Sequence, residues 1–325
     1  MHKTLLKTYT YALFSLMVAH AVAAETPWPQ KPIRIIVAFP PSGFVDIGTR
    51  IIAPYLNTAL GQQVVVDNRG RAGGVVGTEL AARAAPDGYT FTVGSVGTHA
   101  VNQTLYRNLP YHVLRDFQAV MRLADAPSLL AVHPSLPARN VKELIALAQQ
   151  QPKNILYASS GSGTSTHLAA VLFESMAKVR FVHVPFKGGV AMIVAVVAGQ
   201  APVTFGTAAT VSPHVRSGRE RGLAVTGSKR AGILPDTPTI AEAGVPGYEM
   251  LNWLGLFAPT QTPRAIVDRL SGELLKILRT TDVRDKLNAA GAEPSAVATD
   301  EFAVFVKGEV EKWAKVVAAT GMTVD

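Results

Sequence analysis

Short apolar runs rich in β-branched residues alternate along this chain with segments whose apolar residues recur every three or four positions. The runs predict strands at residues 33–38, 64–66, 90–93, 129–132, 155–158, 181–184, 202–205 and 222–226. The periodic segments predict helices at residues 45–60, 75–84, 141–149, 164–177, 190–198, 263–278, 283–290 and 300–319. This alternation indicates an α/β fold with mostly parallel sheets, followed by a largely helical final third.

Two strand-to-helix units contain turns that are short of bulky side chains. The first, FPPSGFVDIGTR, covers residues 39–50, and the second, YASSGSGTSTHLAAVLFESMA, covers residues 157–177. In open α/β sheets, ligands bind beyond the carboxyl ends of the strands, where helix N-termini present free N–H groups and a partial positive charge. Each turn alone is compatible with an ordinary strand–helix connection. As a pair facing each other across a cleft, the turns would each hold one anionic group.

The first two dozen residues have the character of an export signal. Lys3 and Lys7 make the start basic, an apolar run follows, and the sequence Ala-Val-Ala at residues 21–23 offers a cleavage site. We therefore predict a signal peptide at residues 1–24 and a periplasmic location for the mature chain. No later stretch of the sequence is apolar for long enough to span a bilayer.

Composition narrows the functional classes. The 325 residues include no cysteine, which excludes thiol catalysis and cysteine-based metal sites. The formal net charge is +8, and a basic surface favours acidic partners. The basic residues are scattered and form no stripe with aromatic residues, so nucleic acid is not an expected partner. The histidines lack the spacing of a metal-binding motif, and no cofactor is expected.

Three smaller features leave alternatives open. RAGGVVG, at residues 71–77, resembles a degraded dinucleotide-binding fingerprint, but Ala72 replaces the first glycine. Several serines close to His167 suggest a serine–histidine nucleophile, although G-x-S-x-G is absent and a serine at a helix start is more often a cap. Asp46, the one carboxylate in the first turn, is equally compatible with bracing the turn and with contacting a ligand.

A series of longer stretches relates the chain from Trp28 to Gly321 to one family. In order, these stretches are WPQKPIRIIVAFPPSGFVD, GQQVVVDNRGRAGGVVGTELAARAAPDGYTF, LYRNLPY, YASSGSGTSTHLA, VPFKGG, LAVTGSKR, LPDTPTIAEAGVPGYE, WLGLFAPTQTP and AATGMTVD. With them the chain resembles the Bug-type extracytoplasmic solute receptors of tripartite tricarboxylate transport systems. The resemblance implies a two-domain α/β periplasmic-binding-protein fold, type II-like, with a ligand cleft between the domains.

Further expectations follow from this resemblance. Domain 1 would comprise residues 25–124 and 249–325, and domain 2 would comprise residues 125–248. The protein would capture a small organic carboxylate without catalysis and deliver it to the membrane subunits of the transporter, or present it to a sensor kinase. We expect it to act as a monomer. The alternative is an exported α/β hydrolase or another enzyme that acts on a carboxylated metabolite.

The resemblance also transfers the binding positions of the family onto this sequence. They correspond to Phe39, Pro41, Ser42, Gly43, Asp46, Thr98, His99, Ser160, Gly161, Gly163, Thr164, Ser165, His167, Phe186 and Thr207, with Lys187 alongside. The chain departs from the family pattern at Gly206 and Thr207, where an Asp–Asn pair is common, and at Phe186, where tyrosine is common. Losing an acidic group near the cleft disfavours an amino-acid ligand, whose ammonium needs a carboxylate, and favours a mono- or dicarboxylate.

Overall fold

The computed structural model describes residues 28–41 and 43–322, so the predicted signal peptide lies outside the described residues. The strands are β1 (Ile33–Val37), β2 (Val64–Asn68), β3 (Thr90–Ser95), β4 (Phe117–Val132), β5 (Leu156–Ser159), β6 (Val182–Pro185), β7 (Val203–Thr207), β8 (Arg221–Val225), β9 (Leu251–Pro259) and β10 (Glu293–Ala298). The helices are α1 (Phe44–Leu60), α2 (Val75–Ala82), α3 (Asn102–Leu105), α4 (Val113–Asp116), α5 (Val141–Gln150), α6 (Ser165–Ala177), α7 (Gly189–Val197), α8 (Ala208–Arg216), α9 (Arg264–Arg279), α10 (Thr281–Ala289) and α11 (Thr299–Thr320). Within this described part, no helix combines the length and apolar character needed to cross a bilayer.

A ten-stranded sheet runs through the molecule in the order β2-β1-β3-β9-β4-β7-β5-β6, and β8 and β10 also pair with β4. The first part of β4 pairs with β9 and β10, and its end pairs with β7 and β8. We call the part built on β1, β2, β3, β9 and β10 lobe 1 and the part built on β5 to β8 lobe 2. The long strand β4 therefore belongs to both lobes. The residue boundaries of the two domains stay a prediction.

Strand direction differs between the ends and the centre of the sheet. β1 is parallel to β2 and β3, and β5 is parallel to β6 and β7, as the strand–helix alternation predicts. The pairings of β4 and β9 are antiparallel, because these strands pass between the lobes instead of being linked by a crossover helix. The prediction of mostly parallel sheets is therefore wrong at the centre. The sequence pattern also missed β9, β10, the short helices α3 and α4, α8 and the first part of β4.

Helix α11 packs across the strands at which the lobes join. The Trp253 indole of β9 and the Trp313 indole of α11 both donate to Glu309 of α11, at 3.1 and 3.3 Å. The Arg122 guanidinium of β4 lies 4.0 Å from the centre of the Phe305 ring of α11. The buried aromatic and ionic contacts of this helix thus fix β4 and β9 relative to each other.

Candidate functional site

The first turn (residues 39–43) leads from β1 into α1. Pro41 and Gly43 are exposed and Phe39 is half-buried, whereas Ser42 lies outside the described residues. The turn follows the carboxyl end of a parallel strand, which is where open α/β sheets bind their ligands. The structure therefore places these predicted binding residues on an accessible surface.

Helix α1 begins directly after this turn. Gly43 is the N-cap residue of this helix and has an extended backbone conformation. Its carbonyl accepts the amide of Ile47 at 2.9 Å. Within the described part of the chain, the amides of Phe44 and Val45 meet no acceptor. The start of α1 thus presents free N–H groups and the positive end of the helix dipole next to the first turn.

Buried polar contacts tie the first turn to the end of β2. Asp46 is buried, and its Oδ1 accepts hydrogen bonds from Arg50 Nε and from Asn68 Nδ2, each at 2.9 Å. Asn68 Nδ2 also donates to the carbonyl of Phe39 at 3.1 Å. These contacts show that Asp46 braces the first turn, which is one of the two roles left open by the sequence. Its contact with a ligand stays a prediction.

Residues 70–77, which include the RAGGVVG motif, pack against the back of the first turn. A Cβ atom on Gly70 would lie 2.6 Å from the backbone nitrogen of Pro40, and one on Gly77 would lie 2.8 Å from Cα of Ala38. No side chain fits at either position, because the two backbones approach too closely. Within the motif, this packing accounts for Gly77 without a bound nucleotide.

The second turn (residues 160–164) leads from β5 into α6 and is held by its own hydroxyl groups. The Thr164 hydroxyl donates to the carbonyl of Gly161 at 2.7 Å, and the Thr166 hydroxyl accepts the amide of Ser160 at 2.9 Å. The hydroxyls of Ser160 and Thr164 lie 3.1 Å apart. The run of small hydroxyl residues in the sequence therefore forms a local network that fixes the shape of the turn.

Two glycines and a helix start give this turn its potential for anion binding. Gly161 and Gly163 have φ angles of +132° and +74°, which L-residues rarely adopt. The helix that follows leaves the amides of Ser165, Thr166 and His167 without an acceptor in the described part of the chain. Three successive free donors at the positive end of a helix are suited to a carboxylate.

The His167 ring supports the second turn from the side of the core. Its Nδ1 accepts the amide of Gly163 at 3.0 Å, and the ring stacks on His183 with 4.1 Å between the centroids. The His183 ring also stacks on Tyr157 at 4.8 Å, and its Nε2 lies 2.6 Å from the Ser159 hydroxyl. Burial, with a smaller contribution from His183, lowers the pKa of His167 to about 4. Burial also lowers the pKa of His183.

Thr98 and His99 lie in the core and not on the surface of either turn. Both side chains are fully buried, and the Thr98 hydroxyl accepts the amide of Ser95 at 3.1 Å and lies 2.9 Å from His99 Nδ1. The His99 ring stacks on Phe257 at 4.0 Å, and burial lowers its pKa to about 3. A Cβ atom placed on Gly74 would lie 2.5 Å from Cγ2 of Thr98 and 3.4 Å from Cζ of Phe39, so Thr98 lies behind the first turn. Contact of Thr98 and His99 with a ligand stays a prediction.

The two lobes approach each other at Gly97, just before these buried residues. A Cβ atom on Gly97 would lie 3.9 Å from the carbonyl oxygen of Gly163 in the second turn. The carboxyl end of β3 in lobe 1 therefore lies next to the second turn of lobe 2. The sequence pattern gave no signal for Gly97, because a single glycine after a strand is typical of many turns. Thr166 and His183, which support the second turn, were also missed.

Phe186 and Thr207 lie at the same sheet edge as the second turn. The Phe186 amide donates to the carbonyl of Ser159 at 2.9 Å, and its own carbonyl lies 3.6 Å from a Cβ placed on Gly161. Thr207 ends β7, the parallel neighbour of β5, and its hydroxyl lies 2.7 Å from that of Thr210. Lys187 is exposed. In residues 28–41 and 43–322, no group of three or more histidines and carboxylates is arranged to hold a metal ion.

Most of this chain matches one known protein family. The family model described as "Tripartite tricarboxylate transporter family receptor" (TctC) matches residues 49–322 of this chain. The chain belongs to this family. The resemblance to Bug-type receptors, predicted from the sequence, is thereby confirmed.

Individual known proteins are similar to this chain over nearly its whole length. BugT from Bordetella pertussis is 34% identical over 305 residues, which cover 94% of this chain and 93% of BugT. The structure of R. palustris Rpa4515 with adipate has a TM-score of 0.80 at 36% identity, covering 91% of this chain and 99% of that one. MatC (Rpa3494) from Rhodopseudomonas palustris with bound malate has a TM-score of 0.77 at 32% identity, covering 89% and 100%. The predicted fold class, a two-domain α/β solute-binding fold, is confirmed.

Proposed function

We propose that this TctC-family receptor binds a small organic carboxylate between the first and second turns. The observation that carries the proposal is the set of free amides of Ser165, Thr166 and His167 at the start of α6. The free amides of Phe44 and Val45 at the start of α1 are the matching donors in lobe 1. Helix starts favour anions because unpaired N–H groups and the helix dipole act in the same direction.

The proposed ligand is a mono- or dicarboxylate and not an amino acid. Gly206 and Thr207 supply no carboxylate at the end of β7, and the carboxylate of Asp46 already accepts hydrogen bonds from Arg50 and Asn68. Neither place therefore offers an ammonium group a free anionic partner. The structures of Rpa4515 with adipate and of MatC with malate support a plain carboxylate.

The proposed role is capture and delivery without chemical conversion. The protein would be exported by its predicted signal peptide, bind the carboxylate in the periplasm as a monomer, and pass it to the membrane subunits of a tripartite transporter or to a sensor kinase. Family membership supports this role, and BugD, a further structural relative, is described as a periplasmic binding protein.

The contact between Ser159 and His183 does not favour an enzyme. The Ser159 side chain is fully buried, and its hydroxyl is also in contact with the amide and the carbonyl of Gly161. A nucleophile must reach a substrate, and this hydroxyl faces the interior. The proposal of a receptor therefore rests on the amide donors and not on a catalytic pair.

A ligand screen tests the proposal. We expect adipate or malate, at about 100 times its Kd, to raise the free energy of unfolding by roughly 2.7 kcal/mol, measured by thermal unfolding. Dimethyl adipate, which has the same carbon chain without charges, should give no shift, and glutamate should give less than the plain dicarboxylates. Stabilisation by the diester, or no stabilisation by any mono-, di- or tricarboxylate, would contradict carboxylate binding. Chemical conversion of a bound carboxylate would instead support the enzyme alternative.

A further inference from the structure

Two stacked histidines lie beneath the second turn. The His167 and His183 rings are stacked and nearly parallel, with 4° between their planes and 4.1 Å between their centroids. Tyr157 of β5 stacks on His183 with 17° between the planes. Because His167 belongs to α6 and its stacking partners belong to strands, the ring is held in one orientation by the sheet.

That orientation directs Nδ1 of His167 at the amide of Gly163. The distance is 3.0 Å, and the hydrogen bond requires an unprotonated Nδ1, since the amide is the donor. Gly163 has a φ angle of +74°, so the amide belongs to a residue in a conformation that L-residues rarely adopt. The free amides of residues 165–167 follow directly after it. The conformation that presents them therefore depends on the acceptor supplied by His167.

We propose that His167 is a positioning residue whose neutral ring holds the second turn in its anion-binding conformation, and that protonation of this ring weakens carboxylate binding. This inference rests on the proposed function, because it names the group that maintains the same site. An imidazolium carries hydrogen on both nitrogens and cannot accept the Gly163 amide. Two N–H groups would then face each other where one hydrogen bond had been.

The surroundings of His167 offer little compensation for a positive charge. Among the described residues, the contacts of this ring include the His183 ring of β6 and, through the stack, Tyr157 and the Ser159 hydroxyl of β5. Further along α6, the Glu174 carboxylate accepts the amide of Phe181 at 2.7 Å, and burial raises its pKa. The low pKa of His167, about 4, is consistent with a ring that is neutral at pH 7 and charges only in acid.

Two substitutions separate the effect of the hydrogen-bond acceptor on binding from the effect of the aromatic ring. His167→Asn places an oxygen where Nδ1 lies and does not titrate, whereas His167→Phe keeps an aromatic ring for stacking and removes the acceptor. We expect His167→Phe to weaken the binding of adipate and malate about tenfold at pH 7, and His167→Asn to remain within about threefold of wild type. Equal weakening in both variants would overturn the acceptor role.

A titration of the unsubstituted protein gives an independent test. By linkage, if protonation weakens binding, adipate must lower the pKa of His167, measured from the ring nitrogen resonances. A ligand that contacts the ring directly would raise this pKa, because a nearby anion stabilises the imidazolium. A lowered pKa therefore supports positioning, and a raised or unchanged pKa overturns it.

Hydrogen exchange of the Gly163 amide in the ligand-free protein keeps this inference separate from the proposed function. Exchange should be faster in His167→Phe than in wild type and unchanged in His167→Asn. The same exchange rate in all three proteins would overturn the inference even if carboxylates bind. If wild type binds neither adipate nor malate but the exchange rates differ as expected, the positioning of the turn is supported and the proposed ligand class is what fails.

Discussion

The first and second turns occupy equivalent places in the two lobes, yet they are stiffened by different means. The first turn is held from outside, by Asn68 and by the close approach of Gly70 and Gly77 from a later part of the chain. The second turn is held from within, by hydroxyl contacts such as that of Thr164, and by His167 of the helix that follows. The comparison shows that free helix amides can be presented either by packing or by a local polar network. Added bulk should damage the first turn, and lost hydrogen-bond acceptors should damage the second.

The largest expected effect is bulk behind the first turn. Gly77→Ala would place a Cβ 2.7 Å from the carbonyl oxygen of Arg69 and 2.8 Å from Cα of Ala38, so the backbone must move. We expect a loss of about 3 kcal/mol in the free energy of unfolding, measured by urea denaturation. The matched control is Gly308→Ala in α11, where the added Cβ would have no atom of the described residues within 4 Å and stability should rise by about 0.5 kcal/mol. Equal effects of the two substitutions would contradict the packing account.

Low pH should destabilise the protein by protonating His167, which supports the second turn. The pKa of His167 is about 4 in the folded protein, below the ordinary value of a histidine in an unfolded chain. Its contribution to stability is therefore complete above about pH 6.5 and is lost as the pH falls towards 4. We expect wild type to lose about 2 kcal/mol more than His167→Asn between pH 7 and pH 4.5. His99, His183 and Glu220 are common to both proteins, so parallel pH profiles would exclude a role for His167.

The ionic brace of the first turn should matter less than its packing. Asp46→Asn keeps the shape of the side chain but removes the charge that accepts from Arg50 and Asn68, and we expect a loss of about 1.5 kcal/mol. Asp268→Asn is a matched control, since Asp268 pairs with Arg264 at 2.7 Å with a side chain that is 53% exposed, against 4% for Asp46. Exposed pairs contribute little, so the control should change stability by less than about 0.5 kcal/mol. Denaturation at low and high salt measures the stability loss of both variants. A loss in Asp268→Asn as large as that in Asp46→Asn would argue against the brace.

The smallest expected difference in stability is between alanine substitutions at the glycines of the two turns. Gly163→Ala forces an L-residue to a φ angle of +74° and should cost about 1 kcal/mol. Gly43 has a φ angle of −84°, and among the described residues a Cβ there meets the Pro40 carbonyl alone, at 3.8 Å, so Gly43→Ala should unfold nearly as wild type does. If the first turn holds an anion, Gly43→Ala should nevertheless weaken adipate binding, measured by calorimetry. Unchanged affinity in this stable variant would remove the first turn from the site.

The second turn was the easier one to predict from sequence, because its determinants lie within it. Gly161, Gly163 and the neighbouring hydroxyl residues are contiguous, and a glycine-rich turn before a helix has a recognised meaning. The first turn depends on Asn68 and on Gly70 and Gly77, whose contacts with it come from the tertiary fold. The sequence suggested a degraded nucleotide motif for the latter segment, because glycines required for close packing and glycines required for a phosphate look alike.

The order of strands and helices was also largely predictable, apart from the strands that join the lobes. β4 contains Arg122, Asp125 and Pro127, which interrupt an apolar pattern, so only its last residues were predicted as a strand. In the structure Arg122 and Asp125 form an ion pair at 2.6 Å, and the Arg122 guanidinium lies over the Phe305 ring. Tertiary partners thus compensate for charges that the local pattern cannot accommodate.

A crystal structure of the complex with adipate tests the central claim most directly. The account predicts one carboxylate within hydrogen-bond distance, about 2.7–3.2 Å, of the amides of Ser165, Thr166 and His167. It predicts the other carboxylate at the start of α1, near the amides of Phe44 and Val45. A carboxylate that is bound only by side chains, or that lies away from both helix starts, would contradict the account.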